Sequence, residues 1–272
     1  MALRFWRQRR RILLVTLAAL AAAGLLQNAG HPPHWAIAAL ALIPLFLLAI
    51  LFRPQLRLFL TKTAVAAALF SALSTLAVDG YITTILVASF LLLVVFLPSQ
   101  LWFLDGFRLP WISVSQARKR IALDRETVWQ KLFPAPREDH FDPAVAAISQ
   151  GVDPDVFTFF YATNSYYGDR KIQTRVFDVD DGATFKLRDL SLPDVDDGGP
   201  VSVLGHDLQG KDGQTILTLT EGIWRQGIWT AWNGWLDDYL RDHMDRTAAL
   251  MHDKPDPSIK GQVLRDALTI KD

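Results

Sequence analysis

The first hundred residues are built from long apolar runs separated by short polar breaks. The runs are Ile12 to Leu26, Trp35 to Phe52, Thr63 to Val78 and Tyr81 to Leu97. A helix crossing the hydrocarbon of a bilayer needs about 20 mainly apolar residues, within a range of about 17 to 25. The second and fourth runs meet that unaided, and the first does when extended to Gly30. The third is shorter and rich in Ala, Ser and Thr. Only Asp79 and Gly80 separate it from the fourth, a turn signal that makes the two a tight helical hairpin in which both members span.

Beyond Arg118 the pattern changes. Lys119 to Leu123 predicts a short strand, and Asp124 caps a helix through Val128, Trp129, Leu132 and Phe133 that Pro134 and Pro136 stop. A second short helix is predicted over Ala144 to Ser149, with Asp142 as N-cap, Pro143 at its first position and Gly151 at its end. The period then becomes two. Val156–Ala162, Lys171–Val179, Thr184–Leu190, Val201–Leu208 and Gln214–Ile223 read as strands, joined by Gly/Asp/Asn-rich turns and therefore paired antiparallel. Last comes one long helix, Arg225 to Met251, with Ile228, Trp232, Trp235, Tyr239, His243 and Leu250 on a single stripe.

Charge divides the chain at the same place. Of 272 residues, 28 are Lys or Arg and 28 Asp or Glu, a formal charge of zero. Up to Leu104 there are eight basic residues and one acid, a net +7, leaving a remainder of −7. The halves are suited to different surroundings. The acidic balance of the half that folds in water argues against a nucleic-acid partner. With no cysteine, disulfide scaffolds, thiol catalysis and Cys-ligated zinc are excluded.

The basic residues also orient the spans. Five N-terminal arginines before a short apolar core resemble a secretory signal, but cleavage there would put the later basic clusters on opposite sides of the membrane. Uncleaved, the N-terminal arginines, then Arg53, Arg57 and Lys62, then Arg108 and Arg118 to Arg120, all fall on one side, and the two outer loops carry no Lys or Arg. This positive-inside pattern predicts four spans, near 12–30, 35–52, 61–78 and 81–98, in a cell inner membrane with both termini cytoplasmic. The apolar runs hold no ionisable residue that would mark an ion path, so residues 1–104 read as an anchor. Residues 105–117 read as an interfacial linker, with Trp102 and Trp111 at headgroup level, and 252–272 as a tail. The Arg118 to Arg120 stretch is the expected membrane contact of a domain otherwise repelled by anionic lipid.

The order of elements after Arg118 carries a resemblance. Ile121-Ala122-Leu123-Asp124-Arg125-Glu126-Thr127-Val128-Trp129 resembles the opening strand, acid and Val-Trp helix of the SRPBCC or START-like superfamily, also called polyketide cyclase/dehydrase-like. Thr215-Ile216-Leu217-Thr218-Leu219-Thr220-Glu221 and the helix containing Trp235-Leu236-Asp237-Asp238-Tyr239-Leu240 resemble its closing strand and helix. The resemblance covers residues 118–251 and departs from the usual pattern over Pro134 to Asp155. It implies an α+β helix-grip domain, an antiparallel sheet wrapped on a long C-terminal helix, fused here to a membrane region. It further implies a ligand cavity between sheet and helix, lined by Phe160, Trp232, Trp235, Tyr239 and His243.

Other chemistry is sparse. Asp-Val-Asp-Asp-Gly occurs at 178–182 and 194–198, but Gly in fifth place and no Glu at twelve do not make a calcium loop, whereas Asp-Gly favours hairpin turns. His140 with Asp142 offers only two ligands on a loop, so no metal and no cofactor is expected. Glu221, just before the long helix, reads as a cap. Phosphate loops and nucleophile elbows are missing. The expected partners are therefore a hydrophobic small molecule or lipid, and the membrane. An enzyme of the cyclase, dehydratase or hydrolase type is less favoured and would pair His243 with Asp178 or Glu221. A ligand-free interaction module is the third possibility.

Overall fold

In the computed structural model the chain forms two compact units, residues 1–104 and 105–272. The structure describes residues 5–6, 8–28, 30–52, 57–76, 107–161, 171–190 and 201–258. The apolar run Tyr81–Leu97, Trp102, the second Asp-Val-Asp-Asp-Gly and the end of the tail lie outside them.

The first unit contains α1 (Arg9–Asn28), α2 (Pro33–Phe52, with Pro44 inside it) and α3 (Arg57–Leu76). Val15, Phe46 and Ile50 fill one part of its interior, and small residues make another, where Ala22 and Ala23 of α1 meet Ala36 and Ala39 of α2. Such residues let helix backbones approach closely where no hydrophobic effect drives them together. Large side chains, including Leu13, Leu17, Ile37 and Leu48, point outward. The Ser71 hydroxyl donates to Ala67 O at 2.7 Å and is thereby satisfied within its own helix. Among the described residues, α1 and α2 are long and apolar enough to cross a membrane. Among the described residues two such helices are found and not four: the apolar part of α3 is limited to Phe59–Ala72, too short by the same measure.

The second unit is a seven-stranded, wholly antiparallel sheet with helices at its ends. Its strands are β1 (Ser113–Ile121), β2 (Val145–Gln150), β3 (Val156–Tyr161), β4 (Lys171–Asp180), β5 (Thr184–Asp189), β6 (Val201–Lys211) and β7 (Gln214–Trp224). They lie in the order β1-β7-β6-β5-β4-β3-β2, so chain order is kept except that the first strand joins the last. Its helices are α4 (Arg125–Leu132), α5 (Ile228–Asp237) and α6 (Tyr239–Leu250). A sheet gripping a C-terminal helical segment is the helix-grip arrangement. Two of its hairpins turn on Asp-Gly pairs. Asp212 (φ 53) and Gly213 (φ 71) join β6 to β7, and the first Asp-Val-Asp-Asp-Gly supplies the β4–β5 turn with Gly182 at φ 73. At Asp212–Gly213, positive φ at both central residues matches the twist of the flanking strands.

Three expectations are corrected here. β1 begins at Ser113, so the last part of the stretch read as linker is sheet, paired from Ser113↔Ile223 to Ile121↔Thr215. Residues 144–149 form no helix. Val145–Gln150 pairs with β3, and a register shift between Val145 and Ala147 breaks the alternation that would have announced a strand. Asp142 does accept from a backbone amide, Ala144 N at 2.9 Å, but as a turn leading into β2. The long helix is two helices, because Asp238 sits in the left-handed region at φ 51, ψ 47 and ends α5. That break moves the buried stripe one position along: Leu240, Met244, Ala248 and Met251 enter the core, while Tyr239, His243 and Leu250 are half-buried.

Candidate functional site

Residues directly opposite each other on neighbouring strands share a face. Leu219 of β7 stands opposite His206 of β6, and His206 opposite Phe185 of β5. One row on, Glu221 stands opposite Leu204, and Leu204 opposite Leu187. This is the core face, where Phe185, Leu217 and Leu219 join Met244 and Leu240 of α6 in one cluster.

At the centre of the row sits a polar group. His206 is 6% exposed, and its ring lies flat on Phe185 with centroids 4.3 Å apart and planes at 6°. The Phe185 ring is itself met edge-on by Trp129 at 5.2 Å and by Phe133 at 5.4 Å. Trp129 and Phe133 stack on each other at 4.8 Å. The Val-Trp pair of α4 is thus an aromatic wall behind the histidine. α4 itself is fixed by Asp124, whose carboxylate accepts from Thr127 N at 2.9 Å. Those hydrogen bonds to Thr127 hold the Asp124 carboxyl below its ordinary value.

Among the described residues, the Nδ1 atom of His206 has no hydrogen-bond partner. Burial lowers the imidazole pKa to about 3, with the charge of nearby His243 adding to the effect and the Leu204 backbone opposing it. His206 is therefore neutral at any physiological pH, one ring nitrogen a donor and the other an acceptor. Glu221, half-buried, is its diagonal neighbour on the same face. The site is an apolar wall carrying one buried imidazole, with a second imidazole arriving from α6 and a carboxylate one row away.

Ion pairs hold α6 in place over this wall. Arg246 grips Asp142 with two nitrogens, at 2.6 and 3.3 Å, and pairs with Asp256 beyond the helix end. Asp256 in turn accepts from Ser258 N at 2.8 Å. Lys119 of β1 pairs with Asp245, which commits the centre of the Arg118–Arg120 stretch to the domain's own helix. Asp142, read as a helix cap or metal ligand, is thus a clamp. His140 accepts from Asp142 N at 3.0 Å, and burial lowers its pKa.

The residues expected to line a cavity are dispersed. His243 comes to His206, and Tyr239 precedes it by one turn, half-buried. Trp232 and Trp235 lie on α5, largely exposed, with ring centroids 5.8 Å apart. Phe160 alternates with Phe159 and Tyr161, which pack on the core, so its ring is on the other face, where the Lys171 ammonium sits 5.5 Å from its centroid. Asp178 is exposed at the β4 irregularity and pairs with Lys186 at 2.6 Å. Glu221 lies within β7, well before α5 begins, and α5 starts at Gly227 with no side-chain cap. His206 escaped notice, though its signal is present: in Leu204-Gly205-His206-Asp207-Leu208 it occupies an inward position between two leucines.

No protein-family model matches the sequence, and comparison with curated proteins returns no match. The chain is similar in structure to several solved proteins. A START superfamily protein from Mycobacterium smegmatis is 10% identical, covers 49% of this chain and 92% of its own, and superposes with a TM-score of 0.36. The Zhui aromatase/cyclase from Streptomyces sp. R1128 is 12% identical, with 58% and 94% covered and a TM-score of 0.36. A protein from Mesorhizobium loti is 14% identical, with 52% and 97% covered and a TM-score of 0.38. At TM-scores this low the likeness adds nothing to the strand order and helix placement read from the chain itself.

Proposed function

We propose that the second unit is a START-like helix-grip domain that binds a hydrophobic small molecule or lipid bearing one hydrogen-bonding group, and that the N-terminal helices hold it in the inner membrane. His206 carries this reading. A buried polar atom without a partner costs about 1–3 kcal/mol, and a protein retains such a group where something uses it. An imidazole set in an apolar aromatic wall has the make-up of a ligand site, mostly apolar with a few placed polar groups. Tyr239 and His243 would meet the ligand from α6. Trp232 and Trp235 would do so only from the outer side of α5. The four-span topology with both ends cytoplasmic remains our reading of the positive-inside pattern.

The test uses the full chain in nanodiscs. Native mass spectrometry should find a bound lipid or other apolar molecule, and a fluorescent fatty acyl probe should bind at least 10-fold more weakly to His206→Phe than to the unmodified chain. Equal affinity for both proteins would remove His206 from the site.

One observation favours a second reading. Glu221 and His243 bring a carboxylate and a second imidazole to the face that carries the neutral His206, the minimum for proton transfer between substrate atoms. Turnover of a polarised ketone or ester substrate that disappears in both Glu221→Gln and His243→Gln would favour an enzyme over a binder.

A further inference from the structure

The end of the second unit where β1 begins exposes more large apolar side chains than water favours. Phe107, Trp111 and Val114 are between 58% and 66% exposed, and Ile112, Trp224, Ile228 and Trp232 are also open. They belong to one surface. The stretch from Phe107 runs antiparallel to the end of β7: Ile228 N donates to Phe107 O at 3.1 Å, Leu109 N to Gln226 O at 2.9 Å, and Val114 stands opposite Gly222. Ile228 and Trp232 continue the surface one helical turn further along α5. Contiguous apolar patches of this kind mark interaction sites.

We propose that this face rests in the headgroup layer of a lipid bilayer. The inference rests on the reading of the chain as a membrane protein and adds which surface of the second unit meets the lipid. Three features select a bilayer as the occupant. Trp combines a large apolar body with an N–H and concentrates at membrane interfaces, and three Trp lie in this patch. The charge is compatible with anionic headgroups: Phe107 to Ala117 holds Arg108 and no acid, and Ile228 to Leu236 holds no charge at all. The tether is short: nine residues lie between the end of the apolar run at Leu97 and Phe107, so the two are at most about 36 Å apart. The contact is thereby moved from Arg118–Arg120, whose Lys119 is engaged with Asp245, to the aromatic end of the sheet.

The chain has no cysteine, so single nitroxide labels report without background. In the full chain, Phe107→Cys and Ile228→Cys would be labelled in nanodiscs containing anionic phosphatidylglycerol, with Val152→Cys in the β2–β3 turn as the aqueous reference. Accessibility to a water-soluble nickel chelate should be several-fold lower at 107 and 228 than at 152, with oxygen accessibility higher. Adding Trp111→Ser and Trp232→Ser to the Ile228→Cys chain should restore the aqueous value. Nickel accessibility at 107 and 228 equal to that at 152 would overturn the proposal. So would protection that vanishes on dilution to one chain per disc, since a second copy would then be the cover. Protection that survives loss of both tryptophans would also count against it. Carbonate extraction of the same chains separates failure of this contact from failure of membrane attachment itself.

Discussion

His206 gives the second unit a stability that depends on pH in a direction fixed by its burial. In the folded protein its pKa is about 3, against an ordinary value of 6.5. The unfolded chain therefore binds a proton that the folded chain refuses, and stability rises with pH wherever that difference exists. The contribution is complete above pH 6.5 and is lost as the pH falls from there toward 3. A gap of 3.5 units corresponds to about 5 kcal/mol at the acid limit, at about 1.4 kcal/mol per unit. At pH 5 the loss is already about 2 kcal/mol. The charge of His243, half-buried beside it, acts in the same direction. The assay is urea denaturation followed by near-UV circular dichroism between pH 8 and 5, comparing the unmodified chain with His206→Phe. The two share every other titrating group, including His140, so the difference between their curves isolates residue 206. His206→Phe should match or exceed the unmodified chain at pH 8, because it removes an unpaired polar atom from the core, and its advantage should grow by about 2 kcal/mol at pH 5. Parallel pH profiles would refute the reasoning.

Other expectations follow from the packing. Arg246→Met leaves Asp142 and Asp256, with side chains 19% and 9% exposed, facing each other without their cation. A loss of about 3 kcal/mol, at the lower end for breaking a buried pair, should appear in urea midpoints and be largely recovered when both carboxylates become amides. Phe185→Ala removes the ring that His206, Trp129 and Phe133 share, and should cost about 3–5 kcal/mol by the same measurement. Gly213→Ala forces a side chain into φ 71 and should cost about 1 kcal/mol, while Gly205→Ala, at ordinary φ, serves as its control.

The strands after Val156 were legible because period two is a local signal and the Asp-Gly turns punctuate it. β2 was not, since its bulge scrambles the alternation and Asp142-Pro143 imitates a helix start; only the pairing with β3 decides its state. The closing helical segment was legible as apolar and helical but not as two pieces. Its break depends on one residue, Asp238, and the charged neighbours Asp237 and Arg241 disguise it as part of a solvated face. His243 could be picked from sequence as a polar residue at the edge of an apolar stripe. His206 required register: opposite Leu219 and Phe185 it lies inside, and a one-residue slip would have placed it in solvent. Phe160 shows the same dependence in reverse, one position away from the inward Phe159.

The left-handed joint at Asp238 divides labour between the two closing helices. α6 is immobilised by its buried stripe and by three ion-paired side chains, Asp245, Arg246 and Asp142. α5 has Leu236 as its one buried side chain. In mechanical terms α6 is a fixed post and α5 a span held at both ends, by the joint at Asp238 and by the hydrogen bond from Ile228 N to Phe107 O. A span of 10 residues is about 15 Å long, so α5 bridges that distance between the core that the post secures and the edge of the sheet where Phe107 lies.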